Sequence, residues 1–306
     1  MRLGETAALS HPGRRRRHNE DSYVIQPPLF AVADGMGGAK AGEVASGLAA
    51  AAVQESGSDG QNGEARVAAL IEEANRRVFR RATEDRDASG MGTTMTVALV
   101  EDDRVAIGHV GDSRAYLIRS GELEQLTDDH SLVAELVRSG KLTPEEAESH
   151  PQRSVITRAL GTDADVDVDT FSVEASPGDL FLLCSDGLTT MVDDQTILDA
   201  VEQHRTNLQE AAKALVNAAN RGGGEDNITV VFFEVGEAKE EPDERTEDTV
   251  ITREPPDDED TMDETDEQPA IAVVEPKRRG KVLPILAALA VLLMIAAAVV
   301  WLLGQS

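Results

Sequence analysis

Nearly uninterrupted apolar runs stand at Phe30–Ala33, Val105–Val110, Leu180–Cys184 and Ile228–Val235. Their length and bounding turn residues predict strands. Shorter runs at Ala7–Ser10, Tyr23–Ile25, Ala115–Ile118 and Thr170–Val173 read the same way, as does a strand introduced by Gly90–Thr94 and ending near Val100. Pro27–Pro28, Asp102–Asp103 and Ser120–Gly121 are the turns between neighbours. Helical spacing governs other stretches. Gly42–Glu55 is alanine-rich, and Glu64–Asp85 places Val67, Leu70, Ile71, Ala74 and Val78 on one face. Leu132–Ser139, Pro144–His150, Gln195–Val201 and Leu208–Arg221 predict shorter helices. Strands in adjacent pairs and helices in pairs imply an α+β fold, with antiparallel sheets packed together and helices outside. No internal repeat is visible.

The pattern changes after residue 236. Between Glu237 and Pro276 there are 17 acidic and 3 basic residues, a composition that cannot bury enough apolar surface to offset the entropy of ordering. Residues 237–281 are expected to be a disordered acidic linker with a basic juxtamembrane end. Val282–Leu303 holds 22 residues without a charge, roughly 33 Å as a helix against a hydrocarbon core of about 30 Å. One transmembrane helix is expected there, with residues 304–306 as an extracytoplasmic tail. Lys277, Arg278, Arg279 and Lys281 just before it place residues 1–236 in the cytoplasm by the positive-inside rule. Met1–Arg17 has no apolar stretch of secretion-signal length.

A net charge of -28 argues against nucleic-acid binding and suits a domain that concentrates divalent cations. The single cysteine, Cys184, excludes an intramolecular disulfide and lies in an apolar run, where it reads as a small buried hydrophobe. A cysteine-nucleophile phosphatase would want an arginine near position 190, which is Thr190.

The candidate chemistry lies in aspartates set among turn residues. Phe30–Ala33 runs into Asp34-Gly35-Met36-Gly37-Gly38. A carboxylate at the end of a strand suits a metal ligand, and glycines let backbone groups approach an ion or phosphate. Alone this is ordinary turn chemistry, but it recurs. Arg16-Arg17-His18-Asn19-Glu20-Asp21, Gly111-Asp112-Ser113-Arg114, Ser185-Asp186-Gly187-Leu188 and Asp226-Asn227-Ile228-Thr229 share the style. The run Arg14–Arg17 is unusual in so acidic a domain and suits the holding of a phosphate.

Together with Gly90-Met91-Gly92-Thr93-Thr94, these motifs occur in the order seen in metal-dependent protein Ser/Thr phosphatases of the PPM (protein phosphatase type 2C) family. The resemblance spans residues 5–235, and with the linker and span the chain resembles a bacterial, membrane-anchored member. It implies a β-sandwich of two antiparallel sheets flanked by helix pairs, with metals at one end. It implies two Mn²⁺ or Mg²⁺ ions and a metal-activated water that hydrolyses phosphoserine or phosphothreonine in proteins. Asp34 would bridge both ions, with the Gly35 carbonyl, Asp21, Asp186 and Asp226 completing the set. Asp112 with Asp186 would hold a third ion loosely. Glu20 would act through water, Ser185 and Asn227 as outer supports, and Arg16 as the phosphate clamp. Carboxylate and carbonyl oxygens suit hard cations, and His18 is the only histidine in these motifs, which argues against zinc.

One position departs from the family pattern. Some members carry a histidine after the Asp-Gly as a proposed general acid, and here it is Met36. A metal-bound water is the preferred donor, with His18 and His130 as rivals that would ordinarily be exposed loop histidines. The insertion from about His130 to Gly161 matches the family's mobile flap beside the metal site. Expected partners are phosphorylated proteins, among them membrane-bound Ser/Thr kinases and their substrates. Two other readings stay open: an inactive membrane-tethered phosphoprotein scaffold, and a phosphatase dedicated to one regulator such as an anti-sigma antagonist.

Overall fold

A computed structural model describes residues 2–37, 41–56 and 62–236, all within one unit of the chain, Met1–Glu244. The elements in order are β1 (Arg2–His11), β2 (Asp21–Gln26), β3 (Leu29–Met36), α1 (Ala41–Gln54), α2 (Gly63–Glu84), β4 (Gly92–Thr93), β5 (Met95–Val100), β6 (Arg104–Val110), β7 (Arg114–Arg119) and β8 (Glu122–Gln125). There follow α3 (Leu132–Arg138), α4 (Pro144–Glu148), β9 (Asp169–Glu174), β10 (Leu180–Cys184), α5 (Asp186–Thr189), α6 (Asp194–Gln203), α7 (Leu208–Gly222) and β11 (Ile228–Gly236).

The strands form two antiparallel sheets. One runs β1-β11-β10-β7-β8, and the other β2-β3-β5-β6-β9 with β4 paired to β3. Between them lies a core drawn from both: Phe30, Val32, Ala98, Ile107, Leu117, Phe181, Leu183, Val231 and Phe233. Phe233 stacks on Phe30 with centroids 4.3 Å apart and on Phe181 at 5.0 Å. Alternate residues of the same strands face outward. Leu29, Ala31 and Ala33 pack with α1 and α2, and Leu180, Leu182 and Cys184 with α6 and α7. A central strand covered on both faces has no polar side to present, so its sequence is a continuous apolar run rather than an alternation.

The expected α+β sandwich with flanking helix pairs is therefore present. In α2, Val67, Leu70, Ile71, Ala74 and Val78 are the buried face, as the spacing predicted. The helix sits so close to β6 that a Cβ on Gly108 would lie 2.9 Å from Ile71 and 3.1 Å from Val67.

Local readings need correction. Gly90–Val100 is two strands, because Thr94 turns its N–H and hydroxyl onto the peptide of Asp34. The sequence pattern shows no element at Ser185–Thr190, yet α5 forms there. The hairpin turn expected at Ser120–Gly121 is present, pairing Arg119 with Glu122, but the edge strand β8 after it is short and polar and shows no strand pattern in the sequence. Among the described residues no helix is long and apolar enough to cross a membrane. The linker at 237–281, the span at 282–303 and the tail at 304–306 lie outside the described residues, as does most of the Ser56–Gly63 loop.

Candidate metal centre

One end of the sandwich gathers the motif aspartates. Asp21 opens β2 and Asp34 lies near the end of β3, directly opposite it in the register. Asp186 opens α5 where β10 ends, Asp226 precedes β11, and Asp112 lies between β6 and β7, where the chain passes from one sheet to the other.

Hydroxyls from β11 and from the turn after β10 position Asp21. Its Oδ2 accepts from Ser185 Oγ at 2.8 Å and Thr229 Oγ1 at 2.6 Å. Thr93 and Thr94 fix the backbone of Asp34: the Asp34 N–H donates to Thr94 Oγ1 at 3.0 Å, and its carbonyl accepts from Thr93 Oγ1 at 2.8 Å. Asn227 ties its own loop to the β1–β2 connection, accepting from the Glu20 N–H and donating to the carbonyls of Pro12 and His18. The Gly35 carbonyl and the Glu20 carboxylate meet over Gly42, where a Cβ would lie 2.8 Å from the first and 2.6 Å from the second. Arg16 donates from Nη2 to Asp226 Oδ2 at 2.6 Å.

Asp21, Asp34 and Asp186 are partly accessible as residues, yet Oδ1 of Asp21, Asp112 and Asp186 is shut off from solvent and has no hydrogen-bond partner among the described residues. Such atoms are costly in a folded protein unless something pairs with them. Burial, reinforced by the neighbouring charges of Asp186 and Asp226, pushes Asp21 up to about 7 against its two hydroxyl donors. Burial and then Asp226 raise Asp186 to about 6, while burial and then Asp186 and Asp129 raise Asp112 to about 8. Asp34 rises well above the carboxylate range through burial and the charges of Asp21, Asp186, Asp112 and Asp226. Carboxylates that raise one another stand in a field short of positive charge. Among the described residues, no three His, Cys, Asp or Glu side chains close around one point as a ligand set. The unpaired oxygens and their shared field are what mark the place. An all-oxygen donor set of this kind fits Mn²⁺ or Mg²⁺.

The residues read from the motifs lie at this end of the sandwich, with Arg16 engaged by Asp226. Thr93, Thr94 and Thr229 received no role from the sequence, although each lies inside a quoted motif. His130 is corrected: it is buried, 2% exposed, with both ring nitrogens engaged, and is no exposed loop histidine. His18 is exposed. Met36 packs toward Gly92 and has no proton to give. Cys184 is buried, and burial pushes its thiol up to about 12, so it is inert. The insertion closes on itself where Ser131 pairs with Ile156 and the Thr157 N–H donates to the His130 carbonyl. Between α3, α4 and α5 runs a groove of about 770 Å³ that reaches Asp112 and Asp186.

A family model described as Protein phosphatase 2C matches residues 14–220. The chain belongs to the protein phosphatase 2C family. It is 46% identical over 231 residues to serine/threonine protein phosphatase PstP of Mycobacterium tuberculosis, covering 75% of this chain and 44% of that protein. This family member thus spans less than half the length of that relative. Serine/threonine phosphatase stp of Listeria monocytogenes is 41% identical over 233 residues, with 72% of this chain and 92% of that protein covered. A crystal structure of the catalytic domain of PstP in complex with two manganese ions superposes with a TM-score of 0.70 at 42% identity, covering 77% of this chain and 99% of that one.

Proposed function

We propose that this chain is a metal-dependent protein phosphatase that hydrolyses phosphoserine and phosphothreonine monoesters in proteins. The observation that carries the reading is the convergence of Asp21, Asp34, Asp112, Asp186 and Asp226, three of them with an oxygen left unpaired, at the sandwich end where Arg16 arrives. These residues, with the Gly35 carbonyl, would hold two Mn²⁺ or Mg²⁺ ions, and Asp112 with Asp186 a third more weakly. When bound, such ions lower the pKa of water and offset phosphoryl charge, which is the main demand of phosphate-ester hydrolysis.

The chain's own residues prepare the place. Ser185 and Thr229 occupy Oδ2 of Asp21, while its buried Oδ1 has no hydrogen-bond partner among the described residues. Thr93 and Thr94 hold the Asp34 peptide, so its carboxylate sits on a fixed base. Arg16 neutralises Asp226 and, half-exposed, can turn its planar fork to two phosphoryl oxygens. Residue 36 cannot protonate the leaving alcohol. The groove beside Asp112 and Asp186 offers room for the peptide around the phosphorylated residue.

PstP and stp, both named serine/threonine phosphatases, support the substrate class, and the manganese-bound PstP structure supports the metal. We further propose a single-pass membrane location with this domain cytoplasmic, facing membrane-bound kinases; its support is the uncharged stretch at 282–303 and its basic flank. Carbonate-resistant sedimentation of the full chain with membranes tests the location, and release by carbonate would overturn it. The activity is tested by phosphate release from a phosphothreonine peptide with Mn²⁺ and with chelator.

A further inference from the structure

His130 lies outside the carboxylate cluster, yet it holds the residue next to one of its members at two points. Its main-chain N–H donates to the Gly111 carbonyl at 2.8 Å, and the Gly111 N–H donates to its ring Nδ1 at 3.0 Å. Both polar backbone groups of Gly111 are therefore taken by one residue. A backbone N–H can only donate, so Nδ1 accepts, and in the neutral imidazole the proton sits on Nε2. That nitrogen faces Asp169 Oδ2 at 3.0 Å, and Asp169 Oδ1 accepts from Arg158 Nη1 at 2.6 Å. Burial favours the neutral ring, as does the nearby charge of Arg158, against the pull of Asp169.

Gly111 needs such a grip. Its φ is +114°, and a Cβ there would lie 2.5 Å from the Cβ of Thr94, so only glycine fits, and glycine is the residue with the most freedom to lose. On the far side of Asp112, Ser113 is fixed by its hydroxyl against Thr94 Oγ1 at 2.8 Å and by its carbonyl, which accepts from Thr96 Oγ1 at 3.0 Å. Asp112 is thus held between two anchored neighbours while its own Oδ1 stays unpaired. The His130 carbonyl meanwhile accepts from the Thr157 N–H, where the flap returns to the sheet.

We propose that His130 is a positioning residue that sets how tightly Asp112 holds a cation, by fixing the Gly111 peptide in register with the flap stem. This rests on the metal reading given above. Asp169 orients the ring, as partners beyond the ligands do when they set tautomer and direction.

The test titrates the full chain with Mn²⁺ in the absence of substrate, reading bound metal by calorimetry and free Mn²⁺ by electron paramagnetic resonance. Relative to wild type, His130→Ala is expected to weaken the weakest Mn²⁺ by roughly 10–100-fold, leaving the tighter ions unchanged. His130→Asn, whose side-chain oxygen can take the Gly111 N–H, is expected to recover most of that loss. Asp169→Asn, at a half-exposed position, is expected to weaken the same ion to a lesser degree and serves where a His130 variant does not fold. Unchanged affinity in His130→Ala or in Asp169→Asn, or an Asn variant no better than Ala, would overturn the inference. So would an Asp112→Asn chain that binds its weakest Mn²⁺ as wild type does. Because no substrate is present, a chain that passes this test yet releases no phosphate would overturn the functional reading alone.

Discussion

Asp21 and Asp34 face each other as the first cross-strand pair of the β2–β3 hairpin. Like charges directly opposite on a sheet destabilise it, and here Asp112, Asp186 and Asp226 add their own repulsion. The arrangement makes sense as a site built for cations at the expense of the metal-free fold.

Asp34→Asn should therefore act in opposite directions on stability and activity. In chelator the variant should melt at a higher temperature than wild type, because it removes a carboxyl whose ionisation is opposed by burial and by four neighbouring carboxylates. In Mn²⁺ it should lose most of the metal-induced rise in Tm and its activity should fall by orders of magnitude. A metal-free variant less stable than wild type would contradict this.

The pH dependence follows with a definite sign. Asp21, Asp186 and Asp112 have folded values of about 7, 6 and 8, above the ordinary carboxylate value. The stability they contribute is complete below that ordinary value and is lost as pH rises through the folded values. Chelated protein should lose Tm between about pH 4 and 8, and saturating Mn²⁺ should remove most of that slope. A metal-free Tm that climbs steadily to pH 8 would contradict the cluster.

Ser185→Ala and Thr229→Ala each remove one donor to Asp21 Oδ2. Each should raise the Mn²⁺ concentration for half-maximal activity by roughly 10–100-fold, with kcat largely restored at saturating metal. A loss of kcat that metal does not restore would give these hydroxyls a different role.

Arg16→Ala should raise KM for a phosphopeptide by an amount worth roughly 1.5–3 kcal/mol. Stability should hardly move, since an ion pair this exposed contributes about 0–1 kcal/mol. Arg14→Ala, Arg15→Ala and Arg17→Ala should each matter less. Equal losses at all four would indicate a diffuse basic patch.

Much of this was legible in the sequence because the motifs carry their chemistry locally. Asp34 announces itself through the strand before it and the glycines after it, and the fourfold repetition of that style gives the rest of the cluster. The sandwich was legible because strands covered on both faces, such as Leu180–Cys184, must be apolar throughout. The gaps are contacts between residues far apart in the chain. Thr229 meets Asp21 across 208 positions, and nothing near either residue signals the other. His130 read as a loop residue because its burial is created by Gly111, Asp169 and the flap stem, which only the fold assembles. At α5, four residues are too few for a helical period to show.

The most direct test of the central claim is phosphate release from a phosphothreonine peptide by the full chain, measured in Mn²⁺, in chelator, and with Asp34→Asn in Mn²⁺. The account expects turnover only in the first condition, restored to the chelated enzyme when excess Mn²⁺ is added. Turnover that survives chelator, or an Asp34→Asn variant within a few-fold of wild type, would contradict it.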